Sequence, residues 1–289
     1  MTSSVARSID LPGCAVRIAE YGSPYGKPVV YFHGSPGAWR EAEVFKDAAL
    51  AAGVRIIAID RPGLGQRALS PKGRVLDWAP IVAETMDALG LEDFAVLGVS
   101  GGGPFALGCA VALGDRVNAA AVVSSPAPLD ECLDDLDAVG RKKRRGLVML
   151  RRLPFLLGPM AARLGKVTAS QEGVDALVGR MAAPDRVRVA GDMELHTKLT
   201  ANIQEAFARG PAGFTIDMRL LFTWDWGFSL SQVRQCVQIW HGADDTNVSP
   251  CEARRLAGGL GRSDLHIVPG VGHLAFVDCP EEILESLSS

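Results

Sequence analysis

The sequence predicts an α/β fold: a mostly parallel, doubly wound sheet with a helical segment inserted late in the chain. Three observations carry that expectation. Short apolar and β-branched runs alternate with stretches of helical composition, the order in which crossover helices join parallel strands. The alternation stops after Pro128 and resumes near Cys236, with no convincing strand between. Finally, Gly98-Val99-Ser100-Gly101-Gly102 lies between a buried strand and a helix, where small flanking residues let a tight turn lift a serine hydroxyl.

Taken in order, Cys14–Glu20 alternates loosely and runs into Gly/Pro-rich Tyr21–Pro28, a strand link. Val29–Phe32 is β-branched and aromatic, a buried strand that leads through His33-Gly34-Ser35-Pro36-Gly37 into helical Ala38–Ala52. Val54–Ile59 is a further strand, ending at Asp60-Arg61-Pro62-Gly63-Leu64-Gly65. Asp77 suits the N-cap of a helix over Trp78–Leu89, whose Ile81, Val82, Thr85, Met86 and Leu89 recur at helical spacing. Phe94–Val99 is a strand, Gly102–Leu113 a helix and Val117–Val123 a strand. Beyond the insertion come strands at Cys236–Trp240 and Asp264–Val268 and helices at Pro250–Gly258 and Pro280–Leu287. The expected division is therefore residues 1–127 and 226–289 as the α/β core and 128–225 as the helical insertion.

A chain of 289 residues with 48% hydrophobic content can bury a large core, and a formal net charge of −3 gives no general attraction to nucleic acid or an anionic membrane. Met1–Asp10 lacks the apolar stretch of a secretory signal, and no run reaches the length of a membrane span. The six cysteines are far apart and never in a C-x-x-C pair, so free thiols in a reducing cytoplasm are expected rather than disulfides or a zinc site. The basic run Arg141–Arg145 follows the acidic segment Asp130–Asp137 and reads as a solvated helix face. Trp224, Trp226 and Phe228 read as packing where the insertion rejoins the core, with a share of them lining a pocket.

A serine hydroxyl is a weak nucleophile and needs a base and an orienting carboxylate. Of five histidines, His241 and His273 fall after predicted strands in the last third of the chain, and His273 sits in the glycine-rich loop Val268–Leu274. His33 and His241 each precede a glycine at a strand end and read as structural hydrogen-bonding groups. His266, inside a strand, and His196, in the insertion, read as core or surface residues.

These motifs together resemble the α/β-hydrolase family. Gly98–Gly102 is similar to its nucleophile elbow, Gly272-His273 to its histidine loop, Trp240–Pro250 to its H-G-x-x-D loop, His33–Gly37 to its H-G-x-P-G oxyanion loop and Asp60–Gly65 to its D-x-P-G-x-G turn. The resemblance spans residues 14–127 and 226–289. It implies Ser100 as nucleophile, His273 as general base and Asp245 as the acid, with the backbone N–H groups of Ser35 and Gly101 as the oxyanion hole. Asp244 competes with Asp245, and spacing from His241-Gly242 favours Asp245; some members of the family carry the acid earlier, which would point to Asp130. Asp60 is expected to fix its own turn and Asp278 to be structural. Dehalogenases and epoxide hydrolases of the family carry aspartate at the nucleophile position, where this chain has Ser100.

The resulting expectation is a cytoplasmic serine hydrolase, carboxylesterase-like, whose helical cap covers the site and which cleaves a small ester-like substrate through an acyl-enzyme. It calls for no cofactor or metal and for no nucleic-acid or membrane partner, and it is compatible with a homo-oligomer. The alternatives are a C–C bond hydrolase or lyase using the same triad, and a ligand-binding member of the fold that no longer turns over.

Overall fold

The computed structural model describes residues 6–61, 63–64, 73–129, 138–222 and 225–287. Its strands are β1 (Arg7–Leu11), β2 (Cys14–Gly22), β3 (Lys27–Phe32), β4 (Val54–Ile59), β5 (Phe94–Val99), β6 (Val117–Val123), β7 (Val237–Gly242) and β8 (Ser263–Val268). They form one sheet in the order β1-β2-β4-β3-β5-β6-β7-β8. From β4 through β8 every pairing is parallel, while β2 runs antiparallel to both β1 and β4.

Successive side chains on a strand point to opposite faces, so an apolar run fills two cores at once. Val30, Phe32, Ile57, Ile59 and Val96 face one layer, with Met86 of α2 (Ala79–Ala88) and Phe105 of α3 (Gly103–Ala112). Val29, Tyr31, Ile56, Ala58, Leu97 and Val99 face the other, with Phe45, Phe276 and Ile283. That second layer is built from α1 (Lys46–Ala51) and two helices near the C-terminal end. All six residues of β5 are buried, which is why the sequence shows no alternation there.

Between β6 and β7 the described chain forms six helices and no strand: α4 (Ala138–Arg152), α5 (Leu157–Thr168), α6 (Gln171–Val178), α7 (Ala183–Ala190), α8 (Met193–Phe207) and α9 (Ala212–Leu221). After β7 come α10 (Pro250–Gly259), α11 (Ala275–Asp278) and α12 (Pro280–Ser286). Among the described residues no helix is long and apolar enough to cross a membrane.

Local readings differ from the structure in three places. β1 was not expected; it pairs with β2 across Pro12-Gly13, where Gly13 takes a φ of +79°. The helix expected over Ala38–Ala52 is a 3₁₀ turn, Trp39–Phe45, followed by the short α1. Asp77 does not cap α2: it lies within a 3₁₀ turn, Val75–Trp78, and its carboxylate accepts the Arg74 N–H at 2.9 Å. Of the described cysteines, Cys109 and Cys279 are buried, Cys14 and Cys251 half-buried and Cys236 exposed, all as free thiols; Cys132 lies outside the described residues.

The turn after β5 depends on backbone contact that excludes side chains. A Cβ on Gly102 would collide with the Phe32 carbonyl oxygen, and one on Gly98 would sit 2.6 Å from the Gly102 oxygen and the Gly103 Cα. Gly258, on α10, has nothing within 4 Å of the same position. Gly98→Ala and Gly102→Ala are therefore expected to destabilise the protein by about 1–3 kcal/mol or more through overpacking. Gly258→Ala should leave Tm unchanged or raise it slightly. Thermal unfolding of the three variants measures the contrast.

Candidate active site

Ser100 begins the turn directly after β5 and takes a φ of +49°, a left-handed backbone that costs free energy in a non-glycine residue. The close contact at Gly98 folds the turn onto its own strand, and the one at Gly102 sets it against the end of β3. There the His33–Pro36 loop passes alongside it. A Cβ on Gly101 would lie 3.1 Å from the Ser35 Cβ and 3.5 Å from the Ser35 backbone nitrogen. Two residues 66 positions apart in sequence are thus neighbours beside Ser100. Gly101 also leads into the N-terminal end of α3, whose dipole favours negative charge.

His273 and Asp245 come from the loops after β8 and β7. The His273 Nδ1 lies 2.7 Å from the Asp245 Oδ2, and the other carboxylate oxygen accepts the Asn247 and Val248 N–H groups at 2.7 and 3.0 Å. His241 also approaches Asp245, at 3.3 Å, and its Nε2 lies 2.9 Å from the Val248 carbonyl oxygen. Burial alone would push the Asp245 carboxyl up, but the charge of His273 and the hydrogen bonds from His241 and His273 hold it well below the usual carboxylate range. Burial works against a charged His273, yet the Asp245 carboxylate outweighs it and raises the imidazole above its ordinary value. Asp244, by contrast, is exposed, so burial separates the two neighbouring aspartates.

Two aspartates from the inserted helices hold the loops that carry these groups. Asp185 of α7, 2% exposed, accepts the His273 N–H at 2.9 Å and the Leu274 N–H at 3.0 Å. Asp217 of α9, equally buried, pairs with Arg61 through both oxygens, at 3.1 Å to Nε and 2.6 Å to Nη2. The Arg61 guanidinium donates onward to the His33 and Gly34 carbonyl oxygens and to the Ser35 hydroxyl, while that hydroxyl donates to Asp217. From the other side, Glu41 accepts the Gly34 N–H at 2.6 Å. Neither Asp185, Asp217 nor Glu41 was singled out from the sequence, because none stands in a motif with the residues it holds.

Ser100, Ser35 and His273 border two cavities. The larger, about 550 Å³, is walled mostly by apolar side chains such as Leu147, Leu150, Phe214, Met218 and Phe222. The smaller, about 290 Å³, reaches Glu41, Asn202 and Arg180.

Among the other residues, two expectations are corrected, those for Arg144 and Asp60. Arg144, in the basic run read as solvated, is 3% exposed and turns inward to Glu252 at 3.3 Å in the wall of the larger cavity; Arg141, Lys142 and Arg145 do face solvent. Trp226 and Phe228 pack against each other at a ring distance of 6.0 Å and border neither of these cavities. Asp60 fixes more than its own turn: it accepts the Trp39 N–H at 2.9 Å and pairs with Arg17 of β2. His33 is buried, and that burial, with the Arg61 charge, keeps it neutral; His266 stacks on Trp240, and His196 pairs with Asp175 at 2.9 Å. Asp278 pairs with Arg188 at 3.1 Å. The alternative acid Asp130, the acidic segment to Asp137, Trp224, and Pro62 and Gly65 of the D-x-P-G-x-G turn lie outside the described residues.

Removing one partner of a buried ion pair strands the other charge, at a cost of about 3–5 kcal/mol. Asp217→Ala, which orphans Arg61, is accordingly expected to lose about that much stability in urea unfolding. Ser35→Ala, which removes only a neutral hydroxyl from the cluster, should lose about 0.5–1.5 kcal/mol.

Among solved structures, the fold is similar to an α/β-hydrolase fold protein from Nakamurella multipartita, with a TM-score of 0.70 and 24% identity over 98% of both chains. It is also similar to a bromoperoxidase from Bacillus anthracis, with a TM-score of 0.73 and 20% identity over 99% of both chains. A thermophilic esterase from Thermogutta terrifontis matches with a TM-score of 0.66 and 20% identity, covering 99% of this chain and 97% of the other. No curated protein matches the chain in sequence. Residues 29–286 match the family model described as the alpha/beta hydrolase family, and with that match spanning most of the sequence the chain belongs to that family.

Proposed function

We propose that this chain is a serine hydrolase that cleaves a small ester-like acyl substrate through an acyl-enzyme. The observation that carries the reading is the 2.7 Å contact between the half-buried His273 and the buried Asp245, with His273 and the strained Ser100 bordering the same cavities. Ser100 Oγ attacks the carbonyl carbon as its proton passes to His273 Nε2. The Ser35 and Gly101 N–H groups receive the developing oxyanion. Each donor of this kind is typically worth about 2.7–4 kcal/mol of barrier. Collapse expels the alcohol, which takes the proton back from His273, and leaves an ester on Ser100. Water, deprotonated by His273, then attacks that ester and releases the acid and free Ser100.

Asp245 has two parts in this scheme. Its hydrogen bond to Nδ1 leaves Nε2 as the basic nitrogen, and its charge stabilises the imidazolium formed at each attack. The inserted helices act as a cap over the site, and the apolar walls of the larger cavity suit the hydrocarbon part of a small-molecule substrate. The esterase among the structural neighbours is compatible with this chemistry, which this chain's own residues argue independently. A C–C bond hydrolase or lyase would use the same three side chains and differ in what it accepts.

A fluorophosphonate probe should label the wild type at Ser100 and fail to label Ser100→Ala; a folded wild type that does not label overturns the covalent mechanism. Asp245→Asn should lower kcat by about 10⁴-fold, as loss of the orienting carboxylate does in triads generally, while Asp244→Asn stays near wild type. The reverse order would reassign the acid. Because Asp245 raises the His273 pKa, the neutral base is lost as pH falls through a value above the free-imidazole value of about 6.5. kcat/KM should therefore rise with pH through an apparent pKa above that value, and the acidic limb should move to lower pH in Asp245→Asn.

A further inference from the structure

We propose that the smaller cavity beside Ser100 is a site for a substrate hydroxyl group, with Glu41 as its receptor, so that the preferred esters carry a hydroxyl near the scissile carbonyl. The inference rests on the serine-hydrolase reading and adds a substrate class to it.

Glu41 lies in the 3₁₀ turn Trp39–Phe45 and is 7% exposed. One of its oxygens, Oε2, accepts two hydrogen bonds, from the Tyr31 hydroxyl at 2.8 Å and the Gly34 N–H at 2.6 Å. Of the two carboxylate oxygens, Oε2 is the one that bonds the His33–Pro36 loop. Among the described residues the other oxygen, Oε1, accepts none, and it is not sealed within the protein. Buried polar atoms are normally satisfied, and one left open on a cavity wall is where a ligand's donor fits.

Gly34 shows where that oxygen points. A Cβ built there would lie 3.0 Å from Glu41 Oε1 and 3.4 Å from the Ser100 Cβ. The carboxylate oxygen and the Ser100 side chain therefore both lie beside the position that a Gly34 side chain would take, and a methyl group there would crowd them. Gly34 does not have the positive φ that would demand glycine, so the missing side chain serves the space and not the backbone. Ser100, Glu41, Gly34 and His273 all border the smaller cavity.

The surroundings favour a hydroxyl over an ammonium. Arg180 lies on the same cavity, Arg61 bonds the Gly34 carbonyl oxygen behind it, and Asp245 favours a charged His273, so a cationic group would meet like charges. Burial raises the Glu41 carboxyl while the Gly34 N–H, the Tyr31 hydroxyl and the Arg61 and His273 charges lower it. A hydroxyl can donate to the carboxylate oxygen without bringing a positive charge to these groups.

The test compares matched esters on the purified full chain: ethyl lactate with ethyl propionate, ethyl 3-hydroxybutyrate with ethyl butyrate, and 2-hydroxyethyl butyrate with ethyl butyrate. The last pair reports a hydroxyl on the alcohol side. In at least one pair the hydroxylated ester should have the higher kcat/KM by about tenfold, the scale of one hydrogen bond to a charged group. That ratio should fall toward one in Glu41→Gln, which keeps the side chain's size and removes its charge. It should fall likewise in Gly34→Ala, whose methyl would crowd Oε1. Ratios near one in every wild-type pair, or a ratio that survives both substitutions, overturn the inference. Fluorophosphonate labelling separates the two levels: labelling at Ser100 with wild-type ratios near one removes the hydroxyl site and leaves the hydrolase reading standing. A folded wild type that does not label removes both.

Discussion

An arginine cannot shed its charge, so burying Arg61 commits the surrounding chain to supplying it with acceptors. The side chain is fully enclosed and stacks over Phe105 at 5.0 Å. Its acceptors are the Asp217 carboxylate, the carbonyl oxygens of His33 and Gly34, and the Ser35 hydroxyl. One guanidinium thus joins three parts of the molecule: the end of β4, the loop after β3 and a helix of the insertion. The position of the Ser35 N–H, on which the proposed oxyanion hole depends, follows from that set of partners. A preorganised donor is useful because it need not move as charge develops.

The helices between β6 and β7 are accordingly part of the site's framework. Asp217 supports the loop bearing Ser35, and Asp185 accepts the amides of His273 and Leu274. The hydrophobic contacts agree, since Val189, Leu195 and Leu199 of the insertion pack in the same layer as Tyr31 and Phe45. α8 adds Asn202, which accepts the Ala38 N–H at 2.9 Å, and Glu205, which pairs with Arg17 at 2.6 Å. Movement of these helices as one body away from the sheet would break charged hydrogen bonds to both loops.

Much of the sheet was legible in the sequence because parallel strands buried on both faces appear as continuous apolar runs. The edge was harder. β1 reads Arg7-Ser8-Ile9-Asp10-Leu11, with Ile9 alone fully buried, and so short and polar a strand is defined by its partner more than by its own composition. At the site, Ser100 and His273 could be read from glycine patterns because the local turns impose them. Asp245 could be separated from Asp244 by motif spacing, and the structure supplies the physical distinction: one carboxylate is buried against two histidines and two backbone amides, the other faces solvent.

By itself, the sequence determined what depends on neighbours along the chain: the order of strands and helices, the strained turn at Ser100, and the loops that contain Asp245 and His273. Those features leave local traces, since a turn needs small residues at fixed offsets and a buried strand needs apolar ones. Only the tertiary structure decided which distant charges hold the site together. Arg61 meets Asp217 across 156 residues and Asp185 meets His273 across 88, and no periodicity or spacing rule links such positions. The same holds for Arg144, whose place in a basic run suggests solvent but whose partner Glu252 is 108 residues away on α10. Asp185 and Asp217 look like ordinary helical surface charges until packing removes their water and leaves backbone amides and a guanidinium as their partners.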